Sequence, residues 1–188
     1  MRQLTVFNNV TLDGYIADAK GDMGWAHQSP TDDEWNAFVS GNAQGGGALM
    51  FGRVTYDLMA AFWPTPAAKA AMPAVAEGMN RMPKYVFSRK MDTAAWQNTT
   101  VLTGDIAAAA RKLKSEPGPG IVILGSGSIV AQLTAAGLID EYQLVVQPVV
   151  LGAGKTMFAG LKENVRLKLT SSRTFKNGNV VLTYRRVE

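Results

Sequence analysis

Ile121-Val122-Ile123-Leu124, followed by Gly125-Ser126-Gly127-Ser128 and a helical run over residues 129–136, is the stretch that decides the fold. Four apolar residues in a row suit a strand covered on both faces, as in a parallel sheet. The small residues after them let a ligand come close to the backbone. The next helix turns its first unpaired N–H groups toward that loop. Such a junction suits an anion, most often a nucleotide pyrophosphate; a plain tight turn is the other reading of the same residues. Two sharper signatures fail. A dinucleotide G-x-G-x-x-G needs glycine where Val130 stands, and the acidic residue about 20 positions onward would fall in the apolar surroundings of Val145. Gly154-Lys155-Thr156 ends like a phosphate-binding P-loop, but the first glycine of that loop would fall at Val149. A nucleotide would have to bind in another manner.

Working outward, Pro117-Gly118-Pro119-Gly120 stops a helix over 105–115, and Gly137 closes the helix after the junction. A long strand is predicted over 141–150. A terminal hairpin pairs 166–175 with 180–187 around Lys176-Asn177-Gly178, where Asn-Gly favours a tight primed turn. Toward the N-terminus, 3–9 and Lys84-Tyr85-Val86-Phe87 read as strands, as does Ala48-Leu49-Met50-Phe51 after the Gly45-Gly46-Gly47 turn. Gly52-Arg53-Val54-Thr55-Tyr56 opens a helix that ends near Trp63-Pro64. An alanine-rich helical stretch containing Pro73 continues to Met82. Thr31-Asp32-Asp33-Glu34 fits a capping box with Thr31 as cap, and Trp35, Phe38 and Val39 give that helix an apolar stripe. Strands alternating with helices imply an α/β fold with a mostly parallel sheet, made mixed by the C-terminal antiparallel hairpin. Residues 1–188 show no domain boundary and no repeat, so a single domain is expected.

Composition narrows the function. Hydrophobic residues make up 47% and charged residues 18%, an ordinary globular balance. The net charge of +4 comes without a basic cluster beyond Lys112/Lys114 and Arg185/Arg186, so nucleic acid is not an expected partner. With no cysteine and one histidine, His27, neither disulfides nor the Cys/His ligand set of a zinc deaminase can be built. A Ser–His hydrolase would depend on His27, which sits among Gly24, Gln28, Ser29 and Pro30 in a loop. No apolar run reaches the roughly 18 residues of a membrane span, and the N-terminus lacks the pattern of a signal peptide, so a cytoplasmic location is expected.

In an open α/β sheet, ligands gather beyond the carboxyl ends of the strands. Gly52-Arg53-Val54-Thr55, Ser88-Arg89 and Gly125-Ser126-Gly127-Ser128 each follow a strand and each carry anion-binding groups. An arginine beside a dinucleotide site commonly accommodates a 2′-phosphate, which favours NADP over NAD. Asp13, in a strand-end loop, is the candidate acid; turn formation before Gly14 is its other reading.

These segments carry a resemblance. Thr11-Leu12-Asp13-Gly14-Tyr15-Ile16-Ala17, Gly52-Arg53-Val54-Thr55-Tyr56, Pro83-Lys84-Tyr85-Val86-Phe87-Ser88-Arg89, Gly125-Ser126-Gly127-Ser128 and Pro148-Val149-Val150-Leu151-Gly152-Ala153-Gly154 follow one another in that order. Together they resemble the dihydrofolate-reductase-like superfamily, and most closely the C-terminal reductase domain of the bifunctional riboflavin-biosynthesis deaminase–reductase, in a stand-alone form. The resemblance implies a three-layer α/β sandwich on a mixed, mostly parallel central sheet, NADPH as hydride donor, and commonly a homodimer. It would place Arg53 and Thr55, with Gly52, Val54, Ser88 and Arg89, around the phosphates and adenosine ribose. Gly125, Ser126, Gly127, Ser128 and Ile129 would cradle the pyrophosphate. The segment from Asp13 to Ala17 would border the nicotinamide, and Leu151, Gly152 and Gly154 would face the substrate. Trp25 precedes Asp32, Asp33 and Glu34 much as a tryptophan precedes the pterin-binding acid of dihydrofolate reductases, although capping accounts for all three carboxylates.

The function expected is an NADPH-dependent reductase of a small polar heterocycle or a ribosylated pyrimidine or pterin-like compound, with Asp13 or an ordered water supplying the proton. A module that binds a nucleotide without turning it over is the rival reading.

Overall fold

A computed structural model describes residues 1–187. In chain order the strands are β1 (Leu4–Thr11), β2 (Tyr15–Ala17), β3 (Ala48–Gly52), β4 (Lys84–Phe87), β5 (Thr99–Leu102), β6 (Ile121–Leu124), β7 (Glu141–Gln147), β8 (Lys155–Thr156), β9 (Leu167–Thr174) and β10 (Val180–Arg186). The helices are α1 (Asp33–Gln44), α2 (Arg53–Phe62), α3 (Pro66–Ala71), α4 (Pro73–Arg81), α5 (Ile106–Ser115) and α6 (Gly127–Ala135), with a 3-10 turn at Gly24–His27.

The apolar runs become central strands because both of their faces are covered. Side chains alternate across the sheet, so Ile121, Ile123, Ala48, Met50, Leu4 and Val6 point to one side, into a core closed by Leu113 of α5 and by Ile129, Val130 and Leu133 of α6. Val122, Leu124, Leu49, Phe51 and Val86 point to the other, against Ala43 of α1, Tyr56 of α2, and Val75 and Met79 of α4. A smaller cluster of Val145, Phe175 and Val181 takes in Trp35 and Phe38 of α1. The result is a three-layer sandwich of the dihydrofolate-reductase type. Its sheet has eight strands in the order β5-β4-β3-β6-β1-β7-β10-β9, parallel from β5 to β7 and antiparallel beyond.

Several local expectations are corrected. The cap of α1 is Asp32, not Thr31: Asp32 Oδ1 accepts the N–H groups of Glu34 and Trp35, and Glu34 pairs with Arg173 instead of reaching back. The alanine-rich stretch is two helices, because Met72 leaves helical geometry (φ −142°, ψ 66°) ahead of Pro73. β7 ends at Gln147 rather than at 150, since Pro148 has no N–H for the ladder. The hairpin turn has three residues: only Gly178 has positive φ, Gly178 N–H donates to Phe175 O, and Phe175 N–H to Asn179 O. That is a type I turn with a bulge, because a primed turn would need Asn177 at positive φ as well. Strand β5 and the small β2–β8 sheet are too short to write a periodic pattern and were not anticipated.

Helices α1 and α4 approach through Gly78. A Cβ there would lie 2.3 Å from the backbone carbonyl oxygen of Ala43, which cannot rotate away. Gly78→Ala should therefore lower stability by about 2–4 kcal/mol through overpacking. Thermal melts check this; an unchanged midpoint would show that the helices can part without cost.

Candidate cofactor and substrate site

Strands β4, β3, β6, β1 and β7 are adjacent and parallel, so their carboxyl ends share one edge. Arg53, Ser88 and Ser126 consequently sit at the ends of three neighbouring strands, with Asp13 beyond β1 and residues 148–154 beyond β7.

The β6–α6 junction has an unusual backbone. Gly125 and Ser126 are both left-handed, at φ +56° each, and Ser126 is one of two non-glycine residues with positive φ among those described. A side chain in that region is strained by roughly 1–2 kcal/mol, so surrounding contacts must impose it. Asn8, 4% exposed in the middle of β1, pairs with both backbone groups of Gly125: its Nδ2 donates to Gly125 O (3.0 Å) and its Oδ1 accepts Gly125 N–H (2.5 Å). Ser126 N–H donates to Thr55 Oγ1 (3.2 Å), Ser126 Oγ donates to Leu124 O (2.9 Å), and Gly52 N–H donates to Ser126 Oγ (2.8 Å). Three strand ends are thus knitted around one strained turn. Ser126 caps α6 with no side-chain bond to it, which leaves the first-turn N–H groups of Gly127 and Ser128 without an acceptor in the helix.

The glycines act differently from the expectation that they let a ligand approach. A Cβ on Gly125 would lie 2.8 Å from Thr55 Oγ1, one on Gly127 2.9 Å from Ile16 Cδ1, and one on Gly154 2.3 Å from Ala17 O. They allow protein segments to meet. Ile129 is a core residue, 2% exposed, whose N–H donates to Ser126 O, so its backbone and side chain are both engaged. Ala17 is likewise buried, in β2.

Arg53 is half exposed and pairs with Asp57 at 2.7 Å. Val54 is 65% exposed beside it, Arg89 is exposed at the end of β4, and the buried Ser88 accepts Lys90 N–H on its hydroxyl. An anion at the α6 N-terminus would therefore lie beyond strand ends that carry one fixed and two movable cationic or polar groups.

On the other side of β1, Asp13 accepts from Thr11 Oγ1 (2.6 Å), Leu151 N–H (3.1 Å) and Gly152 N–H (2.7 Å). Thr11 holds the carboxyl below its ordinary pKa; desolvation opposes this, and the N–H groups of Gly152 and Leu151 add to it. The carboxylate stays ionised at neutral pH and clamps the 148–154 loop to the end of β1. Such a group accepts hydrogen bonds. Gly154 and Leu151 belong to that loop, and Trp25 stands half-buried in the 3-10 turn nearby, with Nε1 buried and unpaired. Asp32 is spent on the α1 cap and on Asn177 N–H, and Glu34 on Arg173.

Asn8 and Gln147 were missed from sequence. The available signal was a carboxamide on an inward-facing position of a central strand, where asparagine is disfavoured.

The chain belongs to the RibD C-terminal domain family, whose model matches residues 2–181. This is the reductase-domain family that the ordered motifs resemble. The uncharacterized protein YyaP of Bacillus subtilis strain 168 is 31% identical over 176 residues, covering 93% of this chain and 90% of that protein. YwjB of the same organism, also uncharacterized, is 27% identical over 175 residues, covering 93% and 92%. Among solved structures, a putative riboflavin biosynthesis protein from Shewanella sp. PV-4 matches with a TM-score of 0.78 at 23% identity, over 99% of each chain. A diaminohydroxyphosphoribosylaminopyrimidine deaminase/5-amino-6-(5-phosphoribosylamino)uracil reductase from Thermotoga maritima matches with a TM-score of 0.69 at 15% identity, over 99% of this chain and 57% of that one. Among the described residues, no helix is long and apolar enough to cross a membrane.

Proposed function

We propose that the protein is an NADPH-dependent reductase of a small polar heterocycle, with a ribosylated pyrimidine of the kind named for the Thermotoga maritima protein as the leading substrate class. The observation that carries this reading is the left-handed Gly125–Ser126 turn, clamped by Asn8, Gly52 and Thr55 at the N-terminus of α6, which has no side-chain cap. Two unpaired amides at a helix N-terminus fit a pyrophosphate, and Arg53 and Arg89 fit a 2′-phosphate. Bound there, NADPH supplies a hydride. The chain's own residues bind, orient and exclude water. Because the Asp13 carboxylate is ionised and committed to the 148–154 loop, proton delivery falls to water rather than to Asp13.

Fluorescence titration with NADPH and NADH tests the reading. Arg53→Ala and Arg89→Ala should each weaken NADPH binding about 10-fold or more while changing NADH little, the loss of a charge-assisted phosphate contact. Equal weakening of both cofactors would show that neither arginine reads the 2′-phosphate, and no binding of either at micromolar concentration would refute the assignment.

Among the described residues Asp13, Asp32 and Glu34 are each engaged in hydrogen bonds or an ion pair, which favours a second reading, a module that holds the nucleotide without turnover. Oxidation of NADPH above background with 5-amino-6-(5-phosphoribosylamino)uracil would rule that reading out.

A further inference from the structure

Among the described residues, segment 24–32, which holds the 3-10 turn and leads into α1, makes no backbone–backbone bond to the sheet: Ala26 N–H donates to Met23 O, Gln28 N–H to Trp25 O, and Gly24 N–H to Asp22 Oδ1, all local. Its attachment runs through side chains. Gln147, the last residue of β7 and 2% exposed, sits at the centre. Its Nε2 donates to Asn9 Oδ1 (3.0 Å) and to Ala26 O (3.3 Å), while its Oε1 accepts from Ser29 Oγ (2.9 Å). Both ends of one amide are therefore engaged, one anchored to β1 and both reaching the segment. At the far end of the segment, Asp32 Oδ2 accepts Asn177 N–H from the β9–β10 turn.

We propose that Gln147 is a positioning residue: its amide latches segment 24–32, and Trp25 with it, to the carboxyl end of β7 and so sets the substrate half of the cleft. The assignment of halves rests on the reading above, in which the cofactor loops hang on β3, β4 and β6, and β7 lies on the opposite side of β1. Three buried donors near the latch, Trp25 Nε1, Asn177 Nδ2 and Asn179 Nδ2, have no partner. Trp25 is thus placed by the segment that carries it rather than by a bond of its own indole. Turning the Asn179 amide over would bring its Nδ2 to Ser29 Oγ, 3.3 Å from the present Oδ1, and extend the same relay. Losing the Gln147 amide leaves Ala26 O and Asn9 without their shared partner, and the segment is then held through Asp32 and the longer Ser29–Asn179 contact.

The test compares the full chain with Gln147→Leu, close in volume and unable to hydrogen-bond, and with Ser29→Ala, which removes one contact and leaves β7 untouched. Amide hydrogen exchange is followed in 24–32 and in 125–130, NADPH affinity by fluorescence, and KM and kcat with 5-amino-6-(5-phosphoribosylamino)uracil. Gln147→Leu should speed exchange in 24–32 roughly 10-fold and Ser29→Ala by a few-fold, with 125–130 and the NADPH dissociation constant within about twofold of the parent. Where the ribotide is reduced, KM should rise with kcat nearly kept. Unchanged exchange in 24–32, or equal acceleration in both regions, would overturn the latch. So would a parallel loss of NADPH affinity. If the parent protein binds no NADPH, the reductase reading fails by itself, and the exchange comparison still decides whether Gln147 holds the segment.

Discussion

Asn8→Leu should open the β6–α6 junction first and destabilise the whole chain. The substitution keeps the branching at Cγ, with bulkier methyl groups, and removes both bonds to Gly125, leaving a partly buried N–H and C=O without partners next to a residue held at positive φ. Each orphaned group costs about 1–3 kcal/mol, so a loss of about 2–5 kcal/mol is expected. For a chain of this size that is a fall in Tm of roughly 5–15 °C. With nothing to hold Gly125, the strained Ser126 relaxes and the α6 amides lose their aim. NADPH affinity should therefore drop by about 10-fold or more even at temperatures where the variant is folded. Calorimetry and a titration at 15 °C separate the two effects. A variant that melts with the parent would show that the turn is held by Thr55 and Gly52 alone.

The second large effect is expected at Lys84. This lysine lies in β4 with no exposed surface, and its Nζ donates to Asn80 O (3.0 Å), Met82 O (2.7 Å) and Gln97 O (3.2 Å) and sits 4.4 Å from the centre of the Trp96 ring. It ties the end of α4 to the segment before β5. Lys84→Met leaves those carbonyls without a donor and should cost about 2–3 kcal/mol at pH 7.5. Burial also pushes the ammonium from its ordinary 10.5 to about 8. Between these two values the unfolded chain keeps a proton that the folded chain has released, so rising pH favours the fold; below pH 8 both states are charged and the desolvation cost stands in full. The stability gap between the parent and Lys84→Met should hence widen above pH 8, by about 2 kcal/mol near pH 10. Urea denaturation of both proteins at pH 7.5 and pH 10 measures this. A gap that narrows would mean that the carbonyls and the ring keep the lysine charged in the fold.

The sheet was legible where burial on two faces wrote a continuous apolar run, as at 48–51, 85–87 and 121–124, and where Asn177-Gly178 marked a hairpin. Strand β5 escaped because an edge strand packs through few side chains, and Thr99-Thr100-Val101-Leu102 owes its place to pairing with β4. The cap of α1 slipped by one residue because Asp32 offers both a cap for the helix and an acceptor for Asn177, a contact 145 residues away in sequence. At the site, loop positions were readable from glycines and arginines, but their assigned work was only partly so. Gly125, Gly127 and Gly154 owe their smallness to Thr55, Ile16 and Ala17, tertiary neighbours that no local pattern announces. Asp13 looked like an acid for chemistry, yet it grips backbone amides of residues 138 and 139 positions onward. Asn8 and Gln147 bond to loops beyond the strand ends through single carboxamides, and a lone polar residue in a strand gives no hint of which loop it holds.

Amide proton shifts of the isotope-labelled chain, followed as NADPH is added, test the central claim most directly. The Gly127 and Ser128 amides should move furthest downfield, as expected for N–H groups that gain a phosphate acceptor, with smaller shifts at 52–55 and 88–89. Shifts that gather on another face, with the Gly127 and Ser128 amides unmoved at saturation, would contradict the assignment of the carboxyl edge as the cofactor site.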